Sequence, residues 1–410
     1  MNLEYFVAKR LIVSKSYKSN VSSPIIKIAI LAIALSIFMM IISVATGIGL
    51  QQKIREKVAA FNGHIIVSNF DDNQSQITAE PIDSKLLTVS QLKKNGFITH
   101  VQPIITKGAL IRTETNVEGI VFKGVDATYQ WRNLEEFLVE GKIPTYKDGY
   151  INEVLISQFL ANRLKLKVGN SFHTFFMKEQ GKLPSVRKFK IAGIYNSGFQ
   201  EFDSSYIIGN IQHLQRINKW QPNQFGAYEI FIDDFSKLDQ HAQEIYKNIP
   251  PTLNSVSIAE KYFSIFEWLK LFDFNILVIL IIMIGVATIN MVVALLVLIL
   301  ERTQLIGMLK ALGANNWSVR KIFLYNAAHL ISRGLLWGNG IAIVLLFIQK
   351  KFEIIKLNPE SYYVSSAPVD INFLHIALLN LGTILICVLI LLIPSFLITK
   401  ISPIKALKFF

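Results

Sequence analysis

Cysteine is almost absent from this chain: Cys387 stands alone among 410 residues. No intramolecular disulfide can form, and no cysteine-based metal site is available. A domain exported by such a chain must fold on its own core. The phosphate-cradling G-x-x-x-x-G-K-[ST] loop is missing too. Both Gly-Lys pairs, Gly141-Lys142 and Gly181-Lys182, run on into Ile143 and Leu183, so the chain has no nucleotide-binding loop of this kind. Neither H-E-x-x-H nor G-x-S-x-G occurs, which removes the zinc-protease and nucleophile-elbow readings. The expectation is a protein with no catalytic residue, no metal site and no cofactor of its own. Any energy it uses comes from another subunit. Acidic residues are the minority, 29 against 42 Lys and Arg, for a net charge of +13. Such a balance suits nucleic acid or the edges of a membrane protein. The basic residues flank apolar blocks, so membrane is expected and nucleic acid is not.

Apolar residues make up 51% of the chain, and they are concentrated. A helix needs about 20 mainly apolar residues to cross a bilayer. Four segments qualify: 25–48, 274–300, 323–348 and 374–399. The first is too long for a signal-peptide core and lacks a small-x-small cleavage site, so it reads as an uncleaved span. Lys9, Arg10, Lys15, Lys18 and Lys27 face only Glu4 before span one. Arg302, Lys310, Arg320 and Lys321 face only Glu301 between spans two and three. Lys400, Lys405 and Lys408 follow span four with no acid, whereas 349–373 is balanced. Positive-inside logic puts the N-terminal segment 1–24, the link 301–322 and the tail 400–410 in the cytoplasm. Residues 49–273 and 349–373 then lie outside.

The expected fold class is an α-helical membrane protein with four transmembrane helices and a large α+β periplasmic domain inserted between helices 1 and 2. Within that domain, 64–69, 104–113, 227–233 and 254–258 read as strands, with helices over 83–95 and 235–248. These place about 62–113 and 227–258 in one α+β subdomain. An inserted strand-rich subdomain is expected over 114–226, with strands at 117–125, 171–177, 186–195 and 204–208. Amphipathic stretches at 51–61 and 259–272 read as helical stalks extending spans one and two.

The link reads ERTQLIGMLKALGANNWSVRKIF. Leu305, Met308, Leu309 and Leu312 share one helical face. Gly313 suits a helix C-terminus, and Asn315 or Asn316 can cap the next helix. An apolar face there needs either a partner groove or a lipid surface. In span three, His329 and Arg333 lie four apart on one face. Snorkelling to the nearby edge and a functional role are both open for them. Gly334 and Gly338 permit close helix packing, and Pro394 is expected to kink span four.

ERTQLIGMLKALGA is similar to the ERTREIGILKALGA signature between spans two and three of FtsX/MacB-type ABC transporter permeases. The start EYFVAKRLI, with Ala8, Lys9 and Arg10, and the tail ISPIKALKFF, with Pro403, Ala406 and Leu407, resemble the family's terminal elements. The segment LNPESYYVSSAPVDIN, with Tyr362, Pro368 and Val369, and the stretch 186–206 resemble the lipoprotein-releasing (LolC/LolE-type) branch. The resemblance implies an inner-membrane permease working with an ABC ATPase dimer, which holds ATP-Mg, and with a second permease copy or a paralogue. It implies that Glu301, Arg302, Leu305, Ile306, Leu309, Lys310, Leu312, Gly313 and Ala314 couple to that ATPase. It further implies an acyl-chain cavity along Phe38, Met40, Val44 and Ile48 of span one and Phe274, Leu277 and Ile281 of span two. The stretch 178–188, with Pro184 and Arg187, matches a hook that recruits a periplasmic lipoprotein carrier; an ordinary exposed hairpin is the other reading. The function implied is lipoprotein extraction. Mechanotransmission to cell-wall hydrolases and efflux with an adaptor and outer-membrane channel are the rivals.

Overall fold

The computed structural model describes residues 3–13, 22–70, 80–93, 95–113, 116–146, 149–178 and 183–402. Pro403, Ala406 and Leu407 of the tail motif lie outside the described residues. The chain forms two compact units. One comprises Met1–Gln51, Leu269–Lys356 and Ser366–Phe410; the other comprises Gln52–Trp268 and Leu357–Ser365.

In chain order, α1 (Leu3–Val13) and α2 (Ser22–Asn62) come first. The second unit then runs β1 (Ile65–Asn69), β2 (Ile82–Asp83), α3 (Val89–Leu92), β3 (Ile98–Arg112), β4 (Val117–Val125), α4 (Arg132–Glu135) and β5 (Leu138–Gly141). It continues with β6 (Glu153–Ser157), α5 (Gln158–Leu164), β7 (Ser171–Phe176), β8 (Ser185–Tyr195), α6 (Gln200–Asp203), β9 (Tyr206–Asn210) and α7 (Gln212–Asn218). After β10 (Gln224–Phe225) and β11 (Ala227–Ile232) come α8 (Leu238–Asn248), β12 (Leu253–Ser257) and α9 (Ile258–Lys261). The remaining helices are α10 (Phe263–Glu301), α11 (Thr303–Ala311), α12 (Asn316–Phe352), α13 (Pro359–Tyr362), α14 (Phe373–Ser395) and α15 (Leu397–Lys400).

Among the described residues, four helices are long and apolar enough to span a bilayer: Pro24–Asn62, Phe263–Glu301, Asn316–Phe352 and Phe373–Lys400. At 1.5 Å per residue the first two reach roughly 58 Å, about twice the hydrocarbon thickness. The stretch 51–61 lies within α2, whereas 259–272 is interrupted at Tyr262, with 259–261 in α9 and 263–272 in α10. Gln51 Nε2 donates to Leu269 O at 3.2 Å and to Asp273 Oδ1 at 2.8 Å, and Tyr262 OH donates to Asn62 Oδ1 at 2.8 Å.

The membrane unit packs Ile33, Ile37, Met40 and Ile41 of α2 with Met291, Leu295 and Leu298 of α10, Phe323, Leu330 and Ile331 of α12, and Cys387 and Leu391 of α14. Gly334 and Gly338 let α12 close on α2. A Cβ at Gly334 would sit 2.7 Å from Ile33 Cβ, and one at Gly338 would sit 2.6 Å from Ala34 O. Between α12 and α14, Asn339 and Asn380 exchange amide hydrogen bonds of 2.7 and 2.9 Å. In hydrocarbon, where no water can serve an orphan amide, such mutual pairing is what makes two asparagines tolerable.

In the second unit one sheet of ten described strands runs β12-β1-β11-β3-β4-β9-β6-β8-β5, and β7 pairs with both β3 and β8. The pairings β3–β4–β9–β6–β8–β7–β3 close a ring. Closure removes sheet edges, and the ring encloses Phe122, Val154, Ile156, Phe172, Phe176, Phe189 and Ile191. The expected boundary at 113/114 therefore does not separate two bodies. It falls at the β3–β4 hairpin, and β3 serves both parts. Its first half pairs with β11 and its second half with β4 and β7. A 15-residue strand is long enough for two sheets, so the insert borrows a wall rather than building its own.

The segment Leu357–Ser365 joins this second unit. Tyr363 stacks on Phe199 with ring centroids 4.5 Å apart. Lys57 Nζ donates to Ser197 O at 2.8 Å and to Tyr363 O at 3.0 Å.

Candidate functional site

The link between α10 and α12 is two helices rather than one. Thr303 Oγ1 bonds back to Leu300 O at 2.6 Å as α10 ends, and α11 starts at that residue. Gly313, at φ +92°, ends α11: its N–H reaches Lys310 O and the Ala314 N–H reaches Leu309 O, each at 3.0 Å. This is glycine's usual left-handed role after a helix. Asn315 then caps α12, its Oδ1 accepting from the Ser318 N–H at 2.7 Å.

The face expected of Leu305, Met308, Leu309 and Leu312 is divided by the packing. Ile306 is fully buried, and Leu309 packs against the same membrane core. Leu305 is half-buried. Met308 and Leu312 stand out, at 50% and 81% exposure, beside exposed Glu301, Gln304 and Ala311. The apolar arc is wider than one contact surface: one edge packs inward and the other is exposed. Ile306 and Lys310 are not on the outward face. Lys310 Nζ donates to Ile398 O at 2.6 Å, to Ile401 O at 2.9 Å and to Thr399 O at 3.3 Å. Its place on the inner side of α11 has a physical reason: a cation suits the cluster of carbonyls at a helix C-terminus.

The expected cavity residues differ in exposure. Met40 and Val44 are buried, Phe38 and Ile48 are half-buried, and Phe274, Leu277 and Ile281 are exposed on α10. Met40 belongs to the helix core. An open cleft of about 290 Å³ lies instead among α2, α10 and α14, lined by Val44, Leu280, Ile284, His375, Leu378, Leu379, Gly382 and Thr383. The small pair Gly382-Thr383 inside an otherwise bulky span was the one sequence signal for it.

The stretch 178–188 takes in the start of β8, which pairs with β7 from Ser171↔Lys190 to Phe176↔Ser185; residues 179–182 lie outside the described residues. Leu183 and Pro184 are exposed. Arg187 is not on the tip. It sits within β8 opposite Thr174, and its Nη1 bonds the Val186 carbonyl at 2.9 Å. His329 is half-buried and Arg333 exposed along α12.

One polar cluster escaped the sequence reading. Lys123 of β4 and Glu229 of β11, both almost fully buried, pair at 2.5 Å. Gln102 Nε2 of β3 also donates to Glu229, at 2.8 Å. Lys123 Nζ additionally holds Phe61 O, one of the last carbonyls of α2. Burial outweighs the neighbouring carboxylate and holds Lys123 below the usual lysine range. A lone lysine in GIVFKGV and a lone glutamate in AYEIFI, each in a strand of otherwise apolar character, were the available signals.

Residues 28–245, more than half of the chain, match the MacB-like periplasmic core domain. Residues 277–403 match the FtsX-like permease C-terminal family. The chain belongs to the FtsX/MacB-like ABC transporter permeases. End-to-end relatives of this permease include the lipoprotein-releasing system transmembrane protein LolC of Xylella fastidiosa (strain Temecula1), 22% identical over 100% of this chain and 98% of that one. The LolE protein of Haemophilus influenzae is 21% identical over 100% of both. Among solved structures, the periplasmic region of MacB from Actinobacillus actinomycetemcomitans covers 47% of the permease and 87% of its own length, at 12% identity and a TM-score of 0.33. The expected architecture holds: four long apolar helices, with an α/β domain inserted between the first and second.

Proposed function

We propose that this permease is the membrane subunit of an ABC transporter that releases lipoproteins from the inner membrane, driven by ATP hydrolysis on a separate subunit. The observation that carries the reading is end-to-end similarity to LolC and LolE proteins, which takes in both membrane helices and inserted domain. In this reading the outward edge of α11, Met308 and Leu312 with Glu301 and Gln304, docks on the ATPase dimer. ATP-Mg sits on that dimer, and the permease itself binds no cofactor. The termini and the 301–322 link face the cytoplasm; the inserted domain and the 349–373 loop face the periplasm. A second permease, identical or a paralogue, completes the pair.

Acyl chains of the substrate lie along the exposed face of α10, at Phe274, Leu277 and Ile281, and against α2 at Phe38 and Ile48. Each methylene exposed to water would cost about 0.8 kcal/mol, so an apolar face lets the chain leave the bilayer without meeting water. ATP binding closes the dimer, α11 passes the motion into the spans, and the acylated substrate moves up to the inserted domain. The exposed tip at Pro184 is where a periplasmic carrier would be met.

The test is reconstitution of the permease with its ATPase in proteoliposomes holding a labelled lipoprotein. ATP-dependent transfer to a soluble carrier is the expected result. Activation of a cell-wall hydrolase without transfer, or assembly with an adaptor and outer-membrane channel, would overturn the assignment.

A further inference from the structure

We propose that Lys310 and Arg320 are positioning residues that fasten the coupling segment to the end of span four, so that motion received by α11 is delivered to α14 and α15. This rests on the coupling role given to α11 above. By connectivity alone, α11 would act on its neighbours in sequence, α10 and α12. The hydrogen bonds say otherwise. Lys310 Nζ closes on three carbonyls of α15 and its exit, Ile398, Thr399 and Ile401. These lie at the C-terminal end of α15, where each carbonyl oxygen has a lone pair to offer a cation; Ile398 O takes the Ile401 N–H as well.

Arg320, one turn into α12, takes the other side of the same break. Its Nε donates to Ser395 Oγ and its Nη2 to Leu392 O, both at 2.9 Å. Its guanidinium lies 5.1 Å from the ring centroids of Trp317 and of Phe396. The break itself falls where Pro394 ends the regular run of α14. Two cations from one side of the turn at Gly313 and the other thus grip the two pieces, α14 and α15, into which span four divides. The segment has an outer face, Met308 and Leu312, that receives, and an inner face, Lys310, that delivers. The bonds to charged donors are directional, so the grip transmits displacement in a way that apolar contact, which slides, does not.

The test uses the full permease purified with its ATPase. Cys387→Ala removes the native thiol, and spin labels at Asn316→Cys and Leu397→Cys report the distance across the grip. Copurification of the ATPase is scored first. Its absence overturns the coupling reading, and this inference with it. With the ATPase bound, the expected label distance is narrow and the same with and without ATP-Mg, because the two elements move as one. In Lys310→Met/Arg320→Met the distribution broadens and lipoprotein release falls about tenfold or more, while ATPase binding and basal hydrolysis persist. Lys310→Arg, which keeps the charge and donors, restores release; a purely volumetric role would not be rescued by the bulkier guanidinium. A label distance that changes with ATP in the otherwise wild-type chain overturns the proposal without any grip variant, as does wild-type release in the double variant.

Discussion

Two leucines of the 301–322 link are expected to separate ATPase docking from folding. Leu312 is exposed and Leu309 packs on the membrane core, although both lie on one apolar arc in the sequence. Leu312→Asp is expected to leave the thermal stability of the detergent-solubilised permease unchanged and to abolish ATPase copurification. Leu309→Asp puts a carboxylate against apolar neighbours, at a cost of roughly 3 kcal/mol, and lowers the melting temperature. Equal loss of stability in both would refute the division. The histidines of the inserted domain give a pH dependence. Burial pulls His64 and His213 down to about 4 from an ordinary 6.5, with Arg187 and Arg216 also acting on His213. His64 Nδ1 accepts the Ile232 N–H at 3.0 Å, which only the neutral ring can do. Folded histidines below their unfolded pKa bind fewer protons than the unfolded chain, so their stabilisation is complete above pH 6.5 and is lost as pH falls toward 4. Protection factors of the β1 and β11 amides, corrected for the intrinsic pH dependence of exchange, are expected to fall as pH drops across that window and to be flat from pH 7 to 8.

The elements were legible to the extent that pattern and position coincide. β4 lies where alternation predicted it, and α12 carries the cap expected of Asn315. Less visible were β6 with α5, and α7, because EVLISQFLANRL and QHLQRIN are short apolar runs whose period is ambiguous between strand and helix. Arg187 fell in two overlapping expectations, the strand 186–195 and the hook 178–188, and it lies in the strand. The Lys123–Glu229 pair went unread because pairing partners 106 residues apart leave no local trace. At the level of elements it joins β4, β11 and the last turn of α2. Lys123→Met leaves Glu229 buried with only Gln102 for company and is expected to cost about 3–5 kcal/mol, with faster exchange at residues 52–62. Lys123→Met/Glu229→Leu removes both charges and is expected to recover most of that loss. A double variant as unstable as the single would show that the charge itself is not what matters.

At the scale of the whole molecule, the sequence carried the ground plan because the bilayer imposes a length and a composition that few other environments impose. Four runs of apolar residues and one long interval between the first two were enough for it. The closed ring of strands was not legible in the same way, since β7 meets β3 only through pairing that no local pattern encodes. The plan also commits to a direction. Four cations face one acid before span one, with Lys27 at its start, and four face one acid between spans two and three, so both flanks are expected on the cytoplasmic side. The buried single thiol of Cys387 makes this readable in a Cys387→Ala chain. Asn316→Cys in the link is expected to react with an impermeant maleimide only in inverted vesicles. Leu183→Cys, 87% exposed at the β7–β8 tip, is expected to react in intact spheroplasts. The reverse pattern would place the outward edge of α11 where no ATP exists, and docking to an ATPase would then have no site on this chain.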